Sequence, residues 1–449
     1  MAVFKRKIYD ALLGWKEEYD GKCALMVEGA RRVGKTTVVT EFARNEYERN
    51  LVIDFSEADE DILALFNGPI GDIDRFLERL QQFRNAELVP RRSVVVFDEV
   101  QFCPRARQKI KRLVADGRFD YIETGSLISI KRNVKDIMIP SEEIKIQMHP
   151  MDFEEFLWAL GDSVTVPAVR RYFDELRPLE EPYHRRVLDM YREYMVVGGM
   201  PQAVSEFTEG KSYRKADSAK RAIMQLYHDD LGKIGGATGL RAKRLFDFIP
   251  SMLSGHDKTF RPGRAEKGTE TADHLNAIEW LRQSRTVNVC FNNTDPTVAM
   301  NLDKDATTLK LYMADTGLLF FQSMSEGVSD PDTTYKDVLS GRLSINRGMF
   351  FENVVAQELV ARGYELQFSK FKIAGRTNLQ EVDFIIADGK KMIPVEVKSG
   401  ISGKHASLDM FMKKFGKRIG RAYVVHSKNL RVDQEKGVVY IPVYMAMFL

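Results

Sequence analysis

Gly29-Ala-Arg-Arg-Val-Gly34-Lys35-Thr36 is the stretch on which the reading of this sequence turns. It fits G-x-x-x-x-G-K-[ST] and stands between a strand-like run, CALMVE, and a helix-like run, TTVVTEFARN. Small residues let successive backbone N–H groups curl around phosphate oxygens. The helix N-terminus that follows favours negative charge, and one lysine reaches the β and γ phosphates. Gly29, Gly34 and Lys35 fill those roles, with Arg31, Arg32, Val33 and Thr37 completing the cradle and the Thr36 hydroxyl as the expected Mg²⁺ ligand. The alternative, a chance glycine-rich turn, is weakened by the flanking strand and helix.

A phosphate cradle of this kind needs a second element, a buried strand ending in a carboxylate, expected in a parallel sheet beside the first strand. Val94-Val-Val-Phe97-Asp98-Glu99 supplies it. Asp98 is the candidate Mg²⁺ ligand and Glu99 the candidate base that orients and deprotonates the attacking water. The next strand ends in Thr124-Gly125-Ser126, which reads either as a hydroxyl near the γ-phosphate, Ser126 being the candidate, or as an ordinary turn.

Working outward, 449 residues suggest about three folding units at ~150 residues each. With 44% hydrophobic and 29% charged residues, the composition is that of a globular chain and not of a disordered one. The longest apolar run, Val438 to Leu449, is broken by Pro442 and is shorter than the ~20 residues a spanning helix needs. The N-terminus becomes charged too early for a signal peptide, so the expectation is a cytoplasmic protein without membrane contact. Cys23, Cys103 and Cys290 are far apart and form neither a disulfide framework nor a zinc pattern. The net charge of +3 is uneven: residues 341–449 hold 18 Lys+Arg against 10 Asp+Glu, leaving 49 against 54 upstream. That basic quarter suits either a phosphate backbone or a solvated face.

Short β-branched runs alternate with amphipathic helices up to about Pro150, the rhythm of a parallel α/β sheet. Residues 151–239 space their apolar positions three and four apart and read as a helical subdomain. Residues 240–335 mix two helices with a short strand, in the size range of a winged helix. From residue 336 a second α/β domain runs to 449: a helix (INRGMFFENVVAQELVARG), the strands EVDFIIAD and MIPVEVKS, a basic helix and the strand RAYVVHS.

In that last domain Glu381-Val-Asp383 is followed, thirteen residues after Asp383, by Glu396-Val397-Lys398. Alternation of period two puts Glu396 and Lys398 on one face, and Asp383 on a neighbouring strand brings two carboxylates and an ammonium together. Two carboxylates bind a hard divalent cation, and a lysine beside them can help activate a water that attacks phosphorus. Asp-(x)n-Glu-x-Lys resembles the PD-(D/E)xK nuclease signature, and Glu352 on the preceding helix is where such nucleases often add an acidic group. The candidate metal set is therefore Glu352, Asp383 and Glu396, with Asp383, Glu396 and Lys398 catalytic. The competing reading is an exposed strand pair with solvated side chains. Lys404, Lys413, Lys414, Lys417, Arg418 and Arg421 either follow a phosphate backbone or form a solvated helix face.

The loop G-A-R-R-V-G-K-T, the strand V-V-V-F-D-E, the T-G-S, and the later H-P-M-D-F-E-E-F and V-G-G-M-P-Q-A-V together resemble the AAA+ family of predicted bacterial and archaeal ATPases. The resemblance covers nearly the whole chain. It implies a P-loop AAA+ core (1–150), a helical lid (151–239), a winged-helix segment (240–335) and a PD-(D/E)xK restriction-endonuclease-like domain (336–449). It also implies ATP with Mg²⁺ as cofactors and marks Arg31 as a family feature. Gly199-Met-Pro201 is similar to the Gly-x-Pro turn with which STAND-type ATPases contact the nucleotide, which makes Pro201 a candidate. Lys310-Leu-Tyr-Met-Ala-Asp315-Thr-Gly317-Leu fits the family's boundary before the C-terminal domain. One departure stands out: between Ser126 and Pro150 the family usually has a Gly-Arg pair, absent here, so no arginine finger is assigned.

Two functional expectations follow. The first is an ATP-dependent DNA-processing enzyme whose C-terminal domain binds DNA, branched DNA included, and cuts it with a divalent metal. The second is a nucleotide-dependent switch whose nuclease-like domain is a silent DNA or protein adaptor. A metabolic kinase is disfavoured because no acceptor site follows the loop. Arg261, Arg264 and Lys267 are further candidate DNA contacts, and self-association stays open.

Overall fold

The computed structural model describes residues 3–125, 142–324, 330–340, 347–373, 378–399 and 405–449. The chain divides into two compact units, Met1–His149 and Pro150–Leu449.

In the first unit, α1 (Ile8–Tyr19), β1 (Ala24–Gly29), α2 (Lys35–Glu46), β2 (Arg49–Asp54), α3 (Glu60–Asn67), α4 (Ile73–Arg84), β3 (Ser93–Asp98), α5 (Pro104–Asp116), β4 (Asp120–Gly125) and β5 (Glu143–Met148) follow one another. The strands form a parallel sheet of order β2-β3-β4-β1-β5. β1, β3 and β4 are buried on both faces, which is why they read as continuous apolar runs. Alternation sorts their side chains between two cores. Val94 and Val96 pack with Leu25, Val27, Leu12 and Phe42 on one face. Val95 and Phe97 pack with Met26, Ile62, Phe66 and Ile110 on the other. The expected adjacency of the first strand and the carboxylate strand is corrected here: β4 lies between β1 and β3. The carboxylate therefore reaches the loop past the end of an intervening strand.

The second unit begins with helices, among them Phe153–Ala159, Glu181–Val197, Pro201–Thr208, Tyr213–Ile234 and Gly236–Ser254. Its sheet takes β6 (Val287–Asn293), β7 (Lys304–Met313), β8 (Gln367–Phe371), β9 (Gln380–Asp388), β10 (Lys391–Val397), β11 (Ala422–His426), β12 (Arg431–Asp433) and β13 (Val438–Pro442), in the order β12-β13-β11-β10-β9-β8-β6-β7. The sheet is mixed: β9 runs antiparallel to β8 and β10, whereas β11 runs parallel to both its neighbours, β10 and β13.

The expected borders at 239/240 and 335/336 do not match breaks in this unit. The first cuts the helix Gly236–Ser254. Across the second, β6 pairs in parallel with β8, and Asn293 donates to Gln367 Oε1 at 2.8 Å while Asn292 Oδ1 accepts from the Lys370 N–H at 2.8 Å. The β6–β7 hairpin, expected inside a separate winged-helix segment, is thus the edge of the C-terminal sheet. Among the described residues no helix is long and apolar enough to cross a membrane.

Candidate nucleotide site and C-terminal charge cluster

The loop from Gly29 to Lys35 links the C-terminal end of β1 to the start of α2, with left-handed backbone at Arg32 (φ 65°) and Gly34 (φ 101°). Gly29 cannot be larger: a Cβ there would stand 2.5 Å from the Met148 carbonyl oxygen. Lys35 is buried and its ammonium donates to the carbonyls of Gly29 (3.1 Å) and Ala30 (3.0 Å), so it lies folded along the loop it serves. Burial pushes its pKa down, and the nearby Glu99 and Asp98 carboxylates hold it up. Arg32, Thr36 and Thr37 are exposed at the rim, and Val33 is buried beneath.

The end of β3 meets this loop. The Thr36 hydroxyl donates to Asp98 Oδ1 at 3.1 Å, and the Thr124 hydroxyl, at the end of β4, donates to the same oxygen. Burial raises the Asp98 carboxyl pKa, with the two threonine hydroxyls pulling it back and Asp54, its register partner on β2, raising it further. Glu99 occupies left-handed backbone (φ 52°), rare for a non-glycine residue; its N–H points at Thr124 Oγ1 (3.4 Å), and its carboxylate accepts from the Gln101 amide. Lys35, Thr36, Asp98 and Glu99 thus come together, and Thr124 is the hydroxyl of the Thr-Gly-Ser run that does so. Ser126 lies outside the described residues.

A triphosphate with magnesium fits these residues: a glycine-restricted cradle, a buried ammonium and a hydroxyl–carboxylate pair at its mouth. Sequence reasoning missed Arg6. Its guanidinium donates to the Val33 carbonyl (3.0 Å) and the His149 carbonyl (2.6 Å), bracing the loop from beneath. A lone arginine 27 residues upstream gives no signal of this kind.

Pro201 lies in the second unit, at the start of the helix Pro201–Thr208. The glycines before it have a packing reason. The Gly199 N–H donates to Asp315 Oδ2 at 2.5 Å, and its carbonyl accepts from the Met151 N–H at 2.7 Å. A Cβ on Gly317 would stand 2.4 Å from the Gly198 backbone. Two motifs separated by more than a hundred residues are therefore fitted to each other.

The C-terminal residues converge only in part. The Asp383 carboxylate accepts the Val397 N–H at 2.8 Å, and Lys398 pairs with Glu396 at 2.6 Å, so β9 and β10 bring these three together. Burial and the neighbouring Glu352 push the Asp383 carboxyl up to about 6, and burial beside Asp383 pushes Glu396 up to about 8. Glu352 joins them through Lys310, which also pairs with Asp383 at 3.8 Å, and not through a shared open site. It is bound by Lys258, by Lys310 at 3.2 Å and by the Tyr312 hydroxyl, and against the cost of burial the two ammoniums hold its pKa down to about 2. The expected three-carboxylate metal set is corrected accordingly. Among the described residues no group of three His, Cys, Asp or Glu side chains is placed to hold a metal ion. The residue that sequence reasoning missed is Lys310, a lysine inside the apolar strand run Leu309–Met313; its placement in such a run was the available signal.

Of the basic residues, Lys413, Lys414, Lys417, Arg418 and Arg421 are exposed, while Lys404 lies outside the described residues. Arg261 is paired with Asp257.

Residues 22–157 match the family model of an AAA domain. Residues 188–327 and 347–446 match two domains of unknown function, DUF8612 and DUF4143. A search of curated proteins finds no match. Among solved structures, the chain is similar to the Walker-type ATPase PABY2304 of Pyrococcus abyssi (16% identity, 72% of this chain and 96% of that one, TM-score 0.42). It is also similar to a chain of Drosophila ORC bound to DNA (13%, 68% and 92%, TM-score 0.30) and to Cdc6p of Pyrobaculum aerophilum (12%, 76% and 97%, TM-score 0.26). At identities and scores this low the structural likenesses carry nothing about function. The family match and the convergence of Lys35, Thr36, Asp98 and Glu99 identify residues 22–157 as an AAA-type P-loop ATPase domain.

Proposed function

We propose that the protein binds and hydrolyses Mg-ATP in its first unit and uses that cycle to act on DNA through its second. The observation that carries the ATPase reading is the Thr36–Asp98 contact at the mouth of a loop whose own lysine is buried beside it. Lys35 leaves the Gly29 and Ala30 carbonyls to meet the β and γ phosphates. Thr36 and Asp98 hold the magnesium, and Glu99 orients the attacking water and takes its proton. Magnesium, when bound, neutralises charge developing on the phosphate oxygens. Ser126 is proposed as a further nucleotide contact. Lys35→Ala should reduce phosphate release to background, and Glu99→Gln should slow turnover by roughly 100-fold or more while nucleotide binding persists. Undiminished turnover in Lys35→Ala would overturn the reading.

The proposal for DNA rests on charge. Exposed Lys413, Lys414, Lys417, Arg418 and Arg421 share one region of the second unit. A cavity of about 890 Å³ in the same unit is lined by Arg185, Arg192, Lys398, Lys428 and Arg431, with Glu181 and Asp189 beside the first two. Such a surface suits a phosphate backbone, and its DNA affinity should fall steeply with salt. A second reading, in which this unit holds DNA without cutting it, is favoured by the engagement of Glu352 with two lysines. ATP turnover measured with and without linear, single-stranded and four-way-junction DNA, with the DNA then run on a denaturing gel, separates the two. Nicks lost in Asp383→Ala support cutting, and shifted but intact DNA supports the adaptor.

A further inference from the structure

Lys310 lies on β7, within the apolar run Leu309–Met313, and its side chain is fully buried. An ammonium in such a place is costly unless opposite charges meet it. Three do: Glu352 Oε1 at 3.2 Å from the helix Arg347–Ala361, and Glu381 Oε1 at 2.6 Å and Asp383 Oδ1 at 3.8 Å from β9. These carboxylates approach one point from two elements, an arrangement by which proteins can surround a metal ion, and here the point is occupied by a side chain. The network around it pairs each carboxylate side chain with a cationic one. Lys258 also binds Glu352, Lys370 binds Glu381 and Asp257, Arg261 binds Asp257, and Lys398 binds Glu396. Five carboxylates therefore face five cations. Of the cluster's buried side-chain oxygens, only Glu396 Oε2 lacks a hydrogen-bond partner among the described residues. Mg²⁺ or Mn²⁺ would have to displace these ammonium partners to complete an oxygen shell.

We propose that Lys310 is the resident cation of the C-terminal cluster, and that the cluster takes no divalent metal. The proposal rests on the second reading above, in which this unit holds DNA without cutting it. It adds a physical cause: a dication entering between Asp383 and Glu396 would be repelled by Lys310, which pairs with the first, and by Lys398, which pairs with the second. It also assigns a role to the lysine of the K-L-Y-M-A-D-T-G-L run, which ties β7 to the helix Arg347–Ala361 and to β9.

The test is binding of Mn²⁺ alone, followed by electron paramagnetic resonance of the full-length chain without nucleotide, with and without duplex DNA. Wild type and Asp383→Asn should give the same titration, because Asp383 contributes no metal site. Lys310→Met, once circular dichroism shows it folded, should gain one Mn²⁺ site that Asp383→Asn removes again, whereas Lys310→Arg should behave as wild type. Mn²⁺ bound by the wild type and lost in Asp383→Asn overturns the proposal whether or not any Lys310 variant folds. A folded Lys310→Met chain that gains no site overturns it as well. A gel shift of DNA, read separately, decides the adaptor reading, so the two can fail independently.

Discussion

A histidine at the end of β11 shows how far one residue's environment can be read from chemistry. His426 is nearly buried, and its Nδ1 accepts the Lys428 N–H at 2.7 Å. Burial, reinforced by the Lys428 and Arg431 charges, pushes its pKa down to about 4. Protonation is thus harder in the folded chain than in the unfolded one. Its contribution to stability is complete above the unfolded value of about 6.5 and is lost as pH falls toward 4, a loss of up to about 3 kcal/mol. Urea midpoints at pH 7.5 and pH 4.5 should therefore separate less in His426→Gln than in wild type. Equal separations would mean that other groups carry the acid sensitivity. Nothing around His426 in the sequence announces this, because the cause is tertiary burial. The phosphate loop differs in that its roles are local: backbone N–H groups, a helix start and the next lysine are fixed by residues that adjoin in the chain. Asp98 stands between these cases. Its place at a strand end is legible, but the Thr124 hydroxyl that binds it arrives from a strand whose position in the sheet is not.

At the scale of elements, the apolar runs of β1, β3 and β4 were readable because both faces of each strand are buried. β8, Gln-Phe-Ser-Lys-Phe, has no β-branched residue and no clear alternation, and becomes a strand because β6 and β9 flank it. The turn before the helix Pro201–Thr208 teaches a related lesson. Its glycines resemble a nucleotide-contacting motif, yet their observed surroundings are the backbone of Met151 and of Gly317. A Cβ on Gly199 would stand 2.0 Å from the Met151 carbonyl oxygen and 2.7 Å from its nitrogen, and backbone atoms cannot swing aside as a side-chain tip can. Gly199→Ala should therefore destabilise the second unit by about 3 kcal/mol. Gly263→Ala, where an added Cβ meets nothing within 4 Å, should change stability little. Denaturant unfolding of the two variants beside wild type measures the contrast, and indistinguishable midpoints would remove the close-packing account of this turn.

At the scale of the molecule, the sequence reading places a border at 335/336 that the sheet crosses. Composition changes there, but hydrogen bonding does not stop. β6 uses β8 as its partner, the Ser369 hydroxyl donates to the Asn293 carbonyl at 2.9 Å, and the buried ammonium of Lys310 needs Glu352, Glu381 and Asp383 from beyond the border. A chain ending at 335 would leave one edge of β6 unpaired and a buried lysine without its carboxylates. A chain starting at 336 would expose β8 and strand Glu352. Each loss is of the kind that costs several kcal/mol, against a total stability of roughly 5–15 kcal/mol for an ordinary domain. Residues 150–335 and 336–449 expressed separately should therefore be insoluble or lack cooperative unfolding, whereas 150–449 should melt as one transition. Co-expression of the two pieces should recover a complex, because the surfaces each lacks are those the other presents. If 336–449 alone gives a sharp thermal transition and dispersed amide resonances, the eight strands are two separable sheets and the charge network around Lys310 is an interface between them.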